Sequence, residues 1–327
     1  MLRMSSNLFI QPVPPGLENL SFPVYCFLVS NGTRHVLFDL GVRQDWETNL
    51  APSTISMIHQ LGDVTRPTNV ADLLDAQSGS TGITRAEIEA VIWSHSHFDH
   101  VGDINTFPAS TDLVVGPGVP DACLPGYPSN PTATILDADL AGPRCVREIG
   151  FEQQARPVRR VAGFDAYDFF GDGSFYLLDA PGHCRGHICG LARVTSDGNE
   201  SSFVFMGGDA CHHPGVLRPS AALPLPLDLP QGVVRLHGEL QSKGREHPFL
   251  GVSPRMFPDY ERALETIRKI TQLDALENVL VVLAHDGTLQ DHIPLFPGIV
   301  NDWLNKGIKE KTRWLFSYDL ARLASQQ

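Results

Sequence analysis

The sequence predicts an α/β fold, and two patterns predict it. Four short apolar runs, at residues 90–93, 175–178, 203–206 and 279–284, each lead within a few residues to a histidine or an aspartate. Runs of this length, rich in Val, Ile, Leu and Phe and bounded by Gly or Pro, read as buried strands. Between and beyond them lie stretches with helical periodicity. The polar residue just past each strand end means that one sheet edge gathers them all.

The elements follow in chain order. Residues 24–30 and 35–40 read as paired strands joined by Asn31-Gly32, a hairpin signal. Thr84-Arg85-Ala86-Glu87 has the capping-box pattern and starts a short helix before the strand at 90–93. Residues 117–160 and 214–254 are broken by prolines and glycines. Long irregular segments in a compact domain are lids or insertions, and both lie between the strands that lead to His or Asp. Their apolar content (Val216, Leu217, Leu223, Leu225, Leu227, Phe249, Leu250) suits either the walls of an apolar pocket or packing against the domain itself. Residues 258–276 read as a helix with Pro near its start and Ala263, Ile267 and Ile270 on one face. A last helix is expected over 298–309, burying Ile299, Trp303 and Ile308. One domain over residues 1–327, with the two insertions over the site, is the expected organisation.

Composition narrows the function. The 327 residues are 42% hydrophobic and 19% charged, with a formal net charge of −12. Clustered Lys and Arg, which phosphate binding needs, are missing, so neither nucleic acid nor an anionic membrane is expected as a partner. The basic stretch at 306–313 reads as a solvated helix face. Six cysteines without a CxxC pair read as free thiols, mostly buried, and not as a disulfide framework. With no signal-like apolar stretch at the start and no run of 18 apolar residues, a cytoplasmic protein is expected.

The chemistry concentrates in Ser94-His95-Ser96-His97-Phe98-Asp99-His100, directly after Val91-Ile92-Trp93. Three imidazoles and a carboxylate in six residues can serve two ions. His95, His97 and His183 would supply nitrogens to a first metal; Asp99, His100 and His285 would hold a second; Asp209 would give one oxygen to each. Nitrogen and oxygen ligands suit zinc best, and iron, manganese and cobalt also fit. Two such ions bring the pKa of bound water from about 15.7 toward about 7, so a bridging hydroxide exists at neutral pH and can attack a carbonyl. Asp99 or Asp209 would then carry the proton to the leaving group.

His95-x-His97-x-Asp99-His100, followed by Gly182-His183, Gly208-Asp209 and Ala284-His285-Asp286, resembles the metallo-β-lactamase superfamily. The resemblance runs from about Val24 to His285. It implies an αβ/βα four-layer sandwich, here with two Pro-rich insertions, and a two-metal site at one sheet edge. Phe38-Asp39-Leu40-Gly41 resembles the family's early Asp-x-Gly strand end, whose aspartate supports the site from behind the ligands. Pro181-Gly182-His183-Cys184-Arg185-Gly186-His187 and Gly208-Asp209-Ala210 look most like the branch that opens N-acyl homoserine lactones. That branch carries a tyrosine three residues after the bridging aspartate, where this chain has His212. An imidazole there can donate to a developing oxyanion or support the site from outside.

The function implied is hydrolysis of a small cyclic ester or amide, a lactone or lactam with an apolar part. A glyoxalase II-like thioesterase and a mono-iron sulfur dioxygenase are the alternatives. The oligomeric state is not legible. Of the remaining candidates, His187 reads as structural, His213 as exposed or a cap, Cys211 as a buried thiol and Asp286 as a carboxylate orienting a ligand histidine. His35, His59, His237, His247 and His292 fit no pattern.

Overall fold

The computed structural model describes residues 1–151, 159–197, 200–241 and 244–325. Parts of both expected insertions, 152–158 and 242–243, lie outside the described residues.

Two central sheets face each other. The first contains β1 (Phe27–Asn31), β2 (Arg34–Phe38), β3 (Ile88–Ile92), β4 (Asp112–Val115) and β5 (Val146–Glu148), in that order. The β1–β2 hairpin is antiparallel with Asn31 opposite Arg34, and Gly32 takes the positive φ of 61° that the turn requires. The other pairings in this sheet are parallel. The second sheet runs β6 (Arg159–Val161), β7 (Phe164–Asp168), β8 (Phe175–Asp179), β9 (Ile188–Asp197), β10 (Glu200–Met206) and β11 (Val279–Val282), antiparallel except for the parallel β10–β11 pair.

Alternation along the strands creates four layers. Val36, Phe38, Ala90, Ile92 and Val114 face Phe175, Leu177, Ile188, Val204, Met206, Leu280 and Val282 between the sheets. Their neighbours point the other way. Leu37, Val91, Leu113 and Val115 pack outward with Ala71 and Leu74 of the helix Val70–Thr81. Leu178, Cys189, Leu191, Phe205, Val279 and Val281 share a cluster with Ala263, Ile267, Ile270 and Leu273 of the helix Tyr260–Asp274. Each fully buried Leu, Ile or Phe contributes about 1.5–3 kcal/mol. The side chain of Asp259 caps that helix by accepting from the Arg262 N–H at 3.2 Å. This helix–sheet–sheet–helix order is the predicted sandwich.

A small third sheet places Leu2–Ser5 between Asn19–Phe22 and Gly62–Val64. Among the described residues no helix is long and apolar enough to cross a membrane.

Three expectations are corrected. Residues 298–307 form turns, and the helices are Ile308–Thr312 and Leu315–Ala324. Trp303 and Ile308 are buried as expected, but Ile299 is 68% exposed. Pro297 opens this stretch and Gly307 interrupts it at φ 60°, which breaks a continuous helical ladder. The stretch 306–313 is not a solvated face throughout: Lys309 is buried and its Nζ donates to the carbonyls of Leu276 and Val279. Burial pushes its pKa down to about 8. Cys145 is exposed and Cys189 and Cys211 are buried; all six cysteines are free thiols.

The insertion at 214–254 resolves between the two readings left open for it. Val216, Leu217, Leu225, Phe249 and Leu250 are buried in the same cluster as Ala210 and Cys211, while Leu227 is 85% exposed. Arg218 fixes this segment to the helix Tyr260–Asp274 through two bonds to Asp274, of 2.7 and 2.6 Å. These buried side chains are part of the domain's own packing.

Candidate metal centre

Strand register brings the site together. In the parallel pairs Phe38 lies beside Ile92, and Ile92 beside Val114. The chain leaving β2 at Asp39 therefore runs next to the chain leaving β3 at Ser94. On the second sheet Met206 pairs with Val282, so Asp209 and His285 emerge side by side. The Ile188 N–H donates to the Ser94 carbonyl at 2.8 Å and joins the two edges. His183 sits in the turn between β8 and β9. That turn needs Gly182, whose φ is +131°, because a Cβ there would stand 2.4 Å from the backbone N and Cα of Ala263.

All seven predicted ligands meet. One group is His95, His97, His183 and Asp209, and the other is Asp99, His100, Asp209 and His285. Within each group the candidate ligand atoms lie within 4.8 Å of one another. The two carboxylate oxygens of Asp209 divide the work. Its Oδ2 stands 3.6 Å from His95 Nε2 and 3.5 Å from His183 Nε2. Its Oδ1 stands 3.1 Å from His100 Nε2 and 2.9 Å from His285 Nε2. Asp99 Oδ2 is 3.6 Å from His100 Nε2 and 3.5 Å from His285 Nε2. His97 Nδ1 is 3.0 Å from His183 Nε2.

These spacings suit cations. Ligand atoms about 2.0–2.1 Å from a tetrahedral ion stand roughly 3.4 Å apart, and the distances above scatter around that value. His95 Nε2, His100 Nε2 and Asp209 Oδ1 are buried without a hydrogen-bond partner among the described residues. Buried polar atoms left unpaired cost about 1–3 kcal/mol each unless something else satisfies them. The residues present fit a pair of divalent ions.

Outer contacts aim the rings. His100 Nδ1 lies 2.7 Å from Asp39 Oδ2. The hydroxyl of Ser94 donates to the same Asp39 oxygen at 2.8 Å and stands 2.9 Å from His95 Nδ1, and the Ser94 N–H donates to Asp39 Oδ1 at 2.6 Å. His285 Nδ1 donates to the Pro23 carbonyl at 2.9 Å. Asp286 does not take that role, contrary to expectation. Its carboxylate accepts from the Thr288 N–H and hydroxyl and caps a turn. His213 is half-buried and caps a turn by accepting from the Gly215 N–H, the second of the two readings made for it.

Electrostatics divide the ligands. Burial lowers the pKa of His95, His97 and His183, which favours the neutral form that binds metal. Burial acts the same way on His100 and His285, but the surrounding carboxylates, Asp209 foremost, outweigh it and raise both. Burial works against the Asp209 carboxylate, yet His285, His100 and His212 hold it well below the usual carboxylate range. His187 is pushed down to about 3 by its burial.

His212 is buried beside the centre. Its Nε2 lies 3.1 Å from Asp209 Oδ2, and its Nδ1 has no partner among the described residues. Its ring lies 4.6 Å from that of Phe9, 5.7 Å from Phe257, and nearly parallel to His285 at 5.6 Å. Phe22 stands 4.4 Å from His285 and Phe257 5.3 Å from His183. Phe9, Phe22, Phe257 and Ser94 were missed from sequence. For Ser94 the signal was its place between the strand and His95. The phenylalanines carried none, since they come from the N-terminal segment and from the turn ahead of the Tyr260–Asp274 helix.

Known proteins share both sequence and shape. Residues 21–195 match the family described as the Metallo-beta-lactamase superfamily. The metallo-hydrolase mfmC of Annulohypoxylon moriforme is 52% identical over 98% of this chain and 84% of its own. The cytochrome P450 monooxygenase mpaDE of Penicillium brevicompactum is 51% identical over 98% of this chain, which spans only 36% of that protein. The gamma-lactamase FDB1 of Fusarium pseudograminearum is 38% identical over 99% of this chain and 80% of its own. A solved N-acyl homoserine lactone hydrolase with N-hexanoyl-L-homoserine at its metal centre superposes with a TM-score of 0.59 at 17% identity, covering 91% of this chain and 94% of its own. At that identity the likeness concerns the fold alone.

Proposed function

The chain belongs to the metallo-β-lactamase superfamily, and from that premise we propose that it is a two-metal hydrolase that opens a small lactone or lactam carrying an apolar part. The observation that carries the reading is the split use of Asp209, with Oδ1 among His100 and His285 and Oδ2 among His95 and His183. His95, His97 and His183 would hold one ion, and Asp99, His100 and His285 the other. Zinc suits this donor set best, with iron, manganese or cobalt as substitutes. When bound, such a pair supplies a hydroxide at neutral pH and polarises a carbonyl.

The remaining steps fall to the protein. His212 gives its Nε2 proton to Asp209, and its Nδ1, without a partner among the described residues, would donate to the substrate oxygen as it gains charge when that nitrogen also carries a proton. Asp99 or Asp209 would take the proton from the attacking water and pass it to the leaving oxygen or nitrogen. Phe9, Phe22 and Phe257 keep that side of the centre apolar and dry, which supports an apolar substituent on the substrate and strengthens every charge interaction within the site.

The likeness to a gamma-lactamase over nearly the whole chain favours a cyclic amide or ester over a thioester. The second ligand group, Asp99, His100, Asp209 and His285, has no use in a mono-iron dioxygenase. The experiment is a hydrolysis screen of γ-lactones, γ-lactams and acyl thioesters, run with chelator-stripped and metal-reloaded protein. Metal-dependent opening of a ring is the expected result. Turnover of thioesters alone would overturn the assignment.

A further inference from the structure

His187 is fully buried, and both of its ring nitrogens are committed. Nδ1 lies 3.1 Å from the carbonyl oxygen of Ala180, and Nε2 lies 3.1 Å from the backbone nitrogen of Asp209. A carbonyl only accepts and a backbone N–H only donates. One neutral tautomer meets both demands, with the proton on Nδ1 and the lone pair on Nε2. The ring lies 5.1 Å from that of His95 and 5.7 Å from that of His183, yet it has no nitrogen left for an ion.

What the ring does hold is backbone. Ala180 opens the turn that carries His183, and Asp209 closes the Gly207-Gly208-Asp209 turn after β10. The neighbouring Ile188 N–H holds the Ser94 carbonyl, so the first ligand loop is fastened at the same place. The fit is close. Gly208 has φ +49°, and a Cβ there would stand 2.9 Å from His187 Nε2 and 3.0 Å from the Ser94 Cβ.

We propose that His187 is a positioning residue whose Nε2, by holding the Asp209 N–H, sets the orientation in which the Asp209 carboxylate reaches both ion positions. This rests on the reading of Asp209 as the ligand shared by two ions. Without the bond, the Asp209 peptide can rotate, and one carboxylate oxygen leaves its group.

Three substitutions separate this role from packing. In H187Q the amide oxygen reaches the place of Nε2 and still accepts from the Asp209 N–H. In H187N the amide reaches only the place of Nδ1 and keeps only the Ala180 contact. H187F keeps the ring shape and neither bond. Chelator-stripped proteins are titrated with Co2+, with stoichiometry by elemental analysis and magnetic coupling between the two ions by electron paramagnetic resonance. Wild type and H187Q are expected to take two coupled ions. H187N and H187F are expected to bind the second ion about 10–100-fold more weakly, the range typical of outer-shell partners, and to lose the coupling. If H187F fails to fold, H187N against H187Q decides the question.

Two coupled ions bound with wild-type affinity in H187N and H187F would overturn the proposal. So would an equal loss in H187Q, which would mark a packing role only. Wild-type protein that takes up fewer than two ions would instead overturn the function on which the proposal rests, and the proposal with it.

Discussion

Asp39 Oδ2 lies 2.7 Å from His100 Nδ1 and also accepts from the Ser94 hydroxyl at 2.8 Å. One carboxylate, at the end of the strand beside β3, thereby aims a candidate ligand of each ion position, since Ser94 in turn contacts His95. Asp39 adopts φ 63°, a conformation that asparagine also tolerates. D39N therefore removes the charge and one acceptor while keeping the backbone. We expect the affinity for the ion at Asp99, His100 and His285 to fall about 10–100-fold, read by competition with a chromogenic chelator. Unchanged affinity would show that Asp39 serves only the turn.

His212 gives a second prediction. H212F preserves a ring between Phe9 and Phe257 and deletes both nitrogens. Metal content should stay at the wild-type level while kcat falls roughly 100-fold, the scale set by loss of one oxyanion donor. Steady-state kinetics beside elemental analysis test this. Loss of metal together with activity would make His212 a support of the centre and not a substrate contact.

Asp139 makes the fold sensitive to pH away from the centre. Its burial pushes the carboxyl up to about 6, against the Arg43 charge that lowers it. A raised carboxylate pKa means that the fold prefers the neutral acid. Its favourable contribution is complete below the usual value of 3.8, fades as pH rises from there to about 6, and is absent above. D139N removes the charge at every pH and can still accept from Asn105 Nδ2. Chemical unfolding at pH 7.5 should find the variant more stable by up to about 3 kcal/mol, a shift of roughly two pKa units at about 1.4 kcal/mol each. The advantage should vanish below about pH 4. A variant less stable than wild type at neutral pH would contradict this.

The parts of the molecule that were legible in the sequence share a cause. His95, His97, His183, Asp209 and His285 follow apolar runs within a few residues, and strand register then places them at one edge. Asp39 followed the same grammar. What escaped notice depends on contacts between segments distant in sequence. The Pro23 carbonyl reaches His285 across 262 positions, and no local pattern announces a backbone acceptor. Phe22, at the end of a strand of the small third sheet, and Phe9, just ahead of the Ile10–Gln11 strand that pairs with Gly251–Val252, look like ordinary core residues until those pairings set them against His285 and His212. The helix expected over 298–309 had correct partners in Trp303 and Ile308, but turn chemistry at Pro297 and Gly307 prevailed over apolar spacing. Lys309 reads as surface by type, and only the two carbonyls at the end of the Tyr260–Asp274 helix and the start of β11 explain its burial.

The central claim is that Asp209 serves two cations at once, and metal counting after reloading tests it most directly. Wild-type protein stripped by chelator and reloaded with Zn2+ should carry two ions per chain and recover ring-opening activity in step with the second. D209A should retain neither ion through gel filtration and show no turnover. Wild-type protein that is fully active without metal, or D209A that keeps both ions, would contradict the account.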